Sequence, residues 1–421
     1  MARARRFPRH LLHFCFALAA GLWQAASADA FITYDARDIA LGSSGVASSR
    51  PHNAAFFNPA LLFNNGPTTF AHGSLALRLN DRENFRGGLD DYHVTEDTFS
   101  DALDEFNEAV ARLDVRLSQY TALLDAAELL IVDIEGLSDR PLMAGVGVNI
   151  GVGHAGERYA ASIFMRQVVT GGAVIRIAEE DIAALEEMLT ALRGIEDAVR
   201  TNTVPPDFTV PDPVDEFLSD VAVEAAAITE SGVAFGLRAS DAWRFGAVIK
   251  HVEFLTYDYF SRAGNADVDH FRLRQHERQS NFFNLDLGVA LELGQWRFGV
   301  VGRDLIEKDV PTIRGRFIKV RPKARAGASW HNDSWLVTAD LDLTRNRPIG
   351  FDPETRFVSL GSEYRVRHNA ALRLGFRHNL VSHENTPSLG FGFGIAEAQA
   401  DIAVISLRGQ QALALQVVSQ F

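Results

Sequence analysis

Phe283-Asn284-Leu285-Asp286-Leu287-Gly288-Val289-Ala290-Leu291-Glu292-Leu293 alternates over its whole length. Phe283, Leu285, Leu287, Val289, Leu291 and Leu293 are apolar; Asn284, Asp286, Gly288, Ala290 and Glu292 stand between them. Period two puts these sets on opposite faces of one strand. Gly294-Gln295 breaks the run, and Trp296 opens the next, which reads as a hairpin.

The same pattern recurs in both directions. Trp335, Val337, Ala339, Leu341 and Leu343 alternate with Thr338, Asp340 and Asp342; Val358, Leu360, Tyr364 and Val366 alternate with Glu363, Arg365 and Arg367. Leu372, Leu374 and Phe376 enclose Arg373 and end before Arg377, and Leu389 to Ile395 alternate with glycines, as do Val146 to Val152. The spacing predicts fourteen strands: 68–79, 141–153, 157–178, 217–239, 242–256, 280–293, 296–303, 319–330, 334–344, 355–367, 370–379, 387–395, 398–407 and 411–421. Alternation is shared by soluble antiparallel sheets, so the connections decide. Long and short links alternate along the chain until the last pair. Short turns at one end and long loops at the other mark an outer-membrane barrel, with an even strand count returning both termini to the short-turn, periplasmic side.

Lipid offers no partner for backbone groups, so a sheet crossing it must close. The apolar face then turns outward. Asp286, Glu292, Asp340, Asp342, Glu363, Arg365, Arg367, Arg373 and Arg377 become lumen-facing candidates. In a soluble β-sandwich these residues would face water; loop parity favours the barrel. Trp243, Trp296, Trp330 and Trp335 all lie within two residues of a short turn, where a periplasmic aromatic girdle would stand. Chance placement beside turns is the competing reading. The last strand carries Leu413, Leu415, Val417 and Phe421 on one face, and its terminal Phe421 resembles the signal read by barrel-assembly machinery. Phe (29) outnumbers Tyr (7), which is unusual for such barrels.

Composition narrows the class. The 421 residues carry a net charge of −13, which argues against a nucleic-acid partner. Residues 1–28 read as a cleaved signal peptide: Arg3, Arg5, Arg6 and Arg9, an apolar run from Leu11 to Trp23, then Ala26-Ser27-Ala28. The single cysteine, Cys15, lies in that run, so no disulfide framework or thiolate metal site is expected. There is no Gly-x-Ser-x-Gly elbow, P-loop or His-Glu-x-x-His, and the expectation is a non-enzyme without metal or cofactor. His270 and His276 flank an arginine-rich loop without a metal-site pattern.

Two stretches change period. Leu103, Phe106, Val110, Leu113, Leu117, Tyr120, Leu124, Ala127 and Ile131 form a heptad seam, and Ile182, Leu185, Leu189, Leu192, Ile195 and Val199 form another. Parity places both in extracellular insertions, 81–140 and 179–216. The two helices are expected to pair antiparallel across the pore mouth; the alternative is packing on a partner protein or on the barrel rim. Residues 81–140 hold 16 acids and 5 bases, and 179–220 hold 12 acids and 2 bases. Such charge attracts divalent cations or repels anions, or simply keeps a solvated face soluble.

Residues 29–66 do not alternate. They contain Ala36-Arg37-x-x-Ala40-x-Gly42-x-x-Gly45-Val46-Ala47 and Ala54-Ala55-x-x-Asn58-Pro59-Ala60-x-Leu62. This order resembles the N-terminus of the conjugal-transfer TraF-like outer-membrane family and, more distantly, FadL and PorV barrels. The resemblance implies that 29–66 folds into the lumen as a hatch, with Gly42, Gly45, Asn58, Pro59 and Ala60 in that role, ahead of a barrel over 67–421. From the residues alone, a Gly/Pro-rich lead-in to the first strand is the alternative. The expected function is an outer-membrane channel or transporter for small molecules, apolar ones among them. Its rivals are an outer-membrane anchor or assembly protein, with an envelope, secretion or conjugation partner at the helical cap, and a secreted soluble β protein. On this reading Leu287→Arg, facing lipid, blocks assembly, whereas the inward Asp286→Asn is tolerated.

Overall fold

The structure, a computed structural model, describes residues 34–63, 66–210, 217–262, 276–367, 369–395, 397–407 and 409–421. The signal-peptide reading of 1–28 and the loop around His270 lie outside the described residues.

Sixteen strands are present among the described residues: β1 (Thr68–Asn80), β2 (Leu142–Ala155), β3 (Tyr159–Arg176), β4 (Asp220–Arg238), β5 (Trp243–Arg262), β6 (Glu277–Leu293), β7 (Trp296–Arg303), β8 (Lys308–Pro311), β9 (Phe317–Val320), β10 (Lys323–His331), β11 (Trp335–Asp342), β12 (Phe357–Arg367), β13 (Ala370–Asn379), β14 (Asn385–Ile395), β15 (Ala398–Leu407) and β16 (Gln410–Gln420). Fourteen form one closed antiparallel barrel; β8 and β9 make a separate hairpin in the loop after β7. Closure joins β1 to β16, from Phe70 opposite Gln420 to Asn80 opposite Gln410. The strand expected over 319–330 therefore divides. Residues up to Val320 belong to the small hairpin, and the barrel strand starts at Lys323, beyond the break at Arg321-Pro322. Pro322 has no N–H to continue a ladder.

Alternation sets the facing. Leu287 is 47% exposed and its neighbour Asp286 2%, a contrast that separates the outer from the inner surface. Exposed aliphatic and aromatic side chains such as Leu75, Ile150, Ile163, Phe235, Leu374 and Leu415 form an outward apolar belt, the surface a lipid-spanning barrel needs. No helix among the described residues is long and apolar enough to cross a membrane; the crossing is made by strands.

The wall is uneven. β3, β4 and β5 have 18, 19 and 20 residues, whereas β7 and β11 have 8 each. A tilted crossing takes roughly 9–11 residues, so the tall strands project beyond the belt at the long-loop end. Their outward residues change character there: Glu253 pairs with Gln279 at 2.5 Å.

The helical insertions differ from expectation. The seam over 103–131 is two helices of one loop, α3 (Phe85–Ala111) and α4 (Leu117–Leu137), after the short α1 (Ala36–Ala40) and α2 (Ala54–Phe57). The chain reverses at Leu113, which has positive φ (58°), and Asp114 N donates to Ala109 O. Leu113 and Leu117, seam members by spacing, are exposed at this turn. The 3,4 rhythm merely continued in phase across a reversal. The antiparallel pair is thus α3 with α4, and α5 (Glu179–Gly194) and α6 (Glu196–Arg200) pack beside them. Phe99, Phe106, Tyr120, Leu130, Leu185 and Leu192 share this core, which continues onto the tall wall through Ile175 and Val221. Rim packing and self-packing occur together.

Candidate functional site: the filled lumen

Residues 34–63 lie inside the barrel. Apart from half-buried Arg50, every residue of this segment is buried. Its turns are short because prolines start them: Pro51 opens one 3-10 turn and Pro59 another, each with φ already suited to the first helical position.

Inward-facing glycines of the wall make the space. A Cβ at Gly246 or Gly288 would overlap Pro59 or Asn58, one at Gly299 would overlap Val46, and one at Gly361 or Gly375 would overlap Leu41 and Gly42. These glycines lie on the polar phase of their strands. Period two places Gly288 on the polar face as one more small residue and is silent on this role; glycine recurring on one phase of successive strands is the available signal.

Along β10–β15 the segment is fastened by hydrogen bonds. Asp340 Oδ2 accepts from Gly45 N (2.8 Å) and Val46 N (3.0 Å). Gly42, with φ +69°, donates its N–H to Ser388 Oγ at 3.2 Å. Any side chain there would meet Leu360 O and Phe376 O at 2.7 Å. Asn58 caps its own turn by accepting from Ala60 N (3.1 Å), while its amide donates to Val46 O (2.9 Å) and Val289 O (3.1 Å). Gly45 leaves room for the Phe57 ring, and Ala60 is fully buried.

Charge is paired in three inward groups. Glu363 receives Arg37 (2.9 Å), Arg373 (2.7 Å) and Arg50 (3.3 Å), and Arg373 also reaches Asp401 (2.7 Å). Arg325 joins Asp342 at 2.5 Å and donates to Ser43 O at 3.0 Å. Lys250 holds Glu230 and Asp286 (both 3.0 Å) and Asp304 (2.8 Å). A buried ion stripped of its partner is costly, because no solvent replaces the lost attraction.

The predicted lumen set falls into three places. Asp286, Asp340, Asp342, Glu363, Arg373 and Arg377 are buried within the barrel. Glu292 lies nearer the short-turn end, between Arg244 and Arg297. Arg365 and Arg367 are not enclosed: they are exposed at the rim, where a register shift interrupts the β12–β13 ladder. The contacts of Asp286 also argue against the expected tolerance of Asp286→Asn. Asp286 Oδ2 accepts from Lys250, and its Oδ1 accepts from Asp304 N at 2.8 Å, so an uncharged amide leaves the lysine short of a partner.

The four tryptophans stand at the short-turn end. Trp296 faces Trp330 across β7–β10, and Trp335 faces Tyr364 across β11–β12. Trp243, Trp296 and Trp335 are exposed, and Trp330 is half-buried with Nε1 donating to Gln295 Oε1 at 3.1 Å. They span an arc from β5 to β11 rather than the full circumference. Phe421 exchanges backbone hydrogen bonds with Thr69 (2.9 and 3.0 Å), next to the closing ladder.

Toward the long-loop end the lumen turns apolar. Tyr34 and Ile39 of the inner segment meet wall residues Val168, Ile228 and Phe254, and Ile349 closes the compartment from a loop. Next to Ile349, a cavity of about 270 Å³ lies between β4–β5 and the β8–β9 hairpin.

A family model described as "F plasmid transfer operon, TraF, protein" matches residues 55–342. No curated protein sequence matches the chain. Among solved structures, the CymD monoaromatic hydrocarbon channel aligns at 12% identity and TM-score 0.52, covering 94% of this chain and 99% of its own. A TodX monoaromatic hydrocarbon channel mutant aligns at 11% and 0.50, covering 92% and 98%. A Pseudomonas aeruginosa FadL homologue aligns at 8% and 0.48, covering 93% and 98%. At such identities the likeness concerns the fold.

Proposed function

The chain belongs to the family described as the F plasmid transfer operon TraF protein, and from that premise we propose that it is an outer-membrane channel for small hydrophobic molecules, closed by residues 34–63 acting as a hatch. The observation that carries this reading is the apolar compartment. An aqueous pore keeps its inner face polar. Here Val168, Ile228, Val252 and Phe254 turn inward above the hatch, which suits an apolar solute. The solved barrels of similar fold include proteins described as hydrocarbon channels, and that description supports the same solute class. On this reading the long loops are extracellular, and solute descends past the hatch to the periplasm.

Uptake of toluene across a lipopolysaccharide-bearing outer membrane, in excess of that by cells lacking the protein, is the test. Deletion of 34–63 should raise both uptake and conductance. No uptake by either protein would end the proposal.

A second reading has its own observation. Val94, Leu129 and Val132 are 68%, 52% and 61% exposed on α3 and α4. Apolar side chains on an outer helical face suit a protein partner, as an anchor of a conjugation or secretion apparatus would require. Charge substitutions at these positions that abolish recruitment of an envelope partner while leaving uptake intact would favour it.

A further inference from the structure

The loop after β7 carries a hairpin that covers the apolar compartment. In the β8–β9 pair, Val310 stands opposite Ile318 and Lys308 opposite Val320, and residues directly opposite in such a pair share a face. Val310 and Val320 are buried in the same cluster as Tyr34, Val168 and Phe254, with Ile318 packed against it. The alternate residues Asp309, Phe317 and Lys319 form the other face and are exposed. The hairpin is a plate across the long-loop end of the lumen, one face on the compartment and the other in solvent.

Its two ends are held differently. At the base, the Asn284 side chain on β6 donates to Ile306 O (3.1 Å) and accepts from Ile306 N (3.0 Å), and Leu305 N donates to Leu285 O (3.0 Å). Asp304 lies between Lys250 of β5 (2.8 Å) and Lys323 at the start of β10 (3.4 Å), which ties the foot of the hairpin to the wall. Arg321 reaches Asp309 at 2.6 Å and ties one leg to the other. At the tip, Gly315 has φ +78°, and a Cβ there would meet nothing within 4 Å. Two exposed arginines link this tip to the tall wall. Arg316 pairs with Glu224 on β4 and with Asp258 on β5 (3.0 Å); Arg314 pairs with Asp258 (3.6 Å) and lies over the Phe260 ring (4.8 Å). Behind these pairs is the cavity of about 270 Å³, lined in part by Asp258, Thr312, Arg316 and Ile349. A solvated ion pair contributes little net stability and is screened by salt. The cavity is roomy and partly polar, so water can reach the carboxylates when the arginines leave. The base is therefore the firm end of the hairpin and the tip the weak one.

We propose that residues 305–322 are a lid on the apolar compartment, hinged at the base and latched at the tip by Arg314 and Arg316 on Asp258 and Glu224, and that this structure is its closed form. With the latch broken the plate swings as one body and uncovers Val310, Val320 and the compartment beneath them. Its part in admitting solute rests on the channel reading; its movement does not.

Cys15 is the sole cysteine, so a Cys15→Ala background permits single-thiol probes. Movement is read in the purified protein from the rate at which Val320→Cys reacts with hydroxyethyl methanethiosulfonate, an uncharged reagent. Adding Arg314→Gln and Arg316→Gln should quicken that reaction at least about ten-fold, while Val301→Cys, buried beside Val46, keeps its rate. Equal rates with and without the two arginines, in variants that keep heat-modifiable migration, overturn the proposal. Where the double variant fails to assemble, salt decides: labelling of Val320→Cys behind the intact latch should quicken as salt rises, because exposed pairs are screened, and a flat response overturns the lid. Admission of solute is tested on intact cells by joining Arg316→Cys to Glu224→Cys with a short bis-methanethiosulfonate. Toluene uptake should fall at least about ten-fold and return on reduction. The same reagent across Asp309→Cys and Lys319→Cys, which stand opposite each other within the hairpin, should leave uptake unchanged. Undiminished uptake with the tip joined overturns the lid as an entrance. A labelling contrast without uptake in any variant keeps the lid and removes the channel. Uptake without a labelling contrast keeps the channel and removes the lid.

Discussion

The segment 34–63 and the helical bundle both add to the same barrel, the one buried within it and the other with an exposed outer face, and they are held by opposite means. Residues 34–63 depend on the wall for nearly everything. Their backbone N–H groups end on Asp340 and Ser388, their arginines on Glu363, and their volume fits against wall glycines. The bundle of α3, α4 and α5 supplies its own core, with Phe106, Leu130 and Leu192 among its buried residues, and uses the wall only as one more apolar surface. A hydrophobic core is non-directional and tolerates small changes in shape. A seat made of ion pairs and close backbone contacts does not. Segment 34–63 is therefore expected to be more sensitive to single substitutions than the bundle.

That contrast can be broken at its strongest point first. Gly246→Leu puts a side chain where the backbone at Pro59 and Ala60 now lies. Expulsion of the hatch is expected, at a cost above about 4 kcal/mol to its seating, read as raised uptake and new protease cleavage within 34–63. A hatch still protected in this variant would show that the glycines are incidental. Next, Arg373→Ala strips a buried cation from Glu363 and Asp401. Breaking such a pair costs about 3–5 kcal/mol, and thermal unfolding in detergent should record most of it. Leu287→Arg places a charge on the belt and should cost about 2–4 kcal/mol, seen as poor assembly. Asp286→Asn should also destabilise, but through Lys250 inside. Damage from the first and none from the second would contradict the network around Lys250.

The bundle should respond more mildly. Ile134→Val removes one buried methyl group from α4, for about 1 kcal/mol, and faster hydrogen exchange should be confined to 85–137. Exchange that also rises in 34–63 would mean that the two insertions are coupled. The smallest effect is expected for Val132→Ser, on the exposed face of α4, within about 0.5 kcal/mol of the parent.

Much of the architecture was legible in the chain. Fourteen strand positions, closure and the inward phase of Asp286, Asp340 and Glu363 all follow from period two and loop parity. The failures came where a local rhythm ran on across a change of direction. Leu113 and Leu117 continued the heptad spacing through a reversal, and Phe317 to Val320 continued an alternating run that belongs to a separate hairpin. Arg365 and Arg367 had the inward phase, but phase says nothing about height along the barrel, and they sit at its rim. Wall glycines were counted as alternation and not as clearance, since clearance is defined only by what occupies it.

Periodicity is a property of neighbours in sequence, so it determined by itself which residues are strands, which face each side chain takes, and that the sheet must close in lipid. What fills the ring depends on pairs far apart in the chain: Arg37 with Glu363, Gly42 with Ser388, His52 with His72. Those meetings arise only when β1 joins β16 and the enclosed space acquires a definite shape. The tertiary structure alone therefore decided that the lumen is filled and where its filling is fastened.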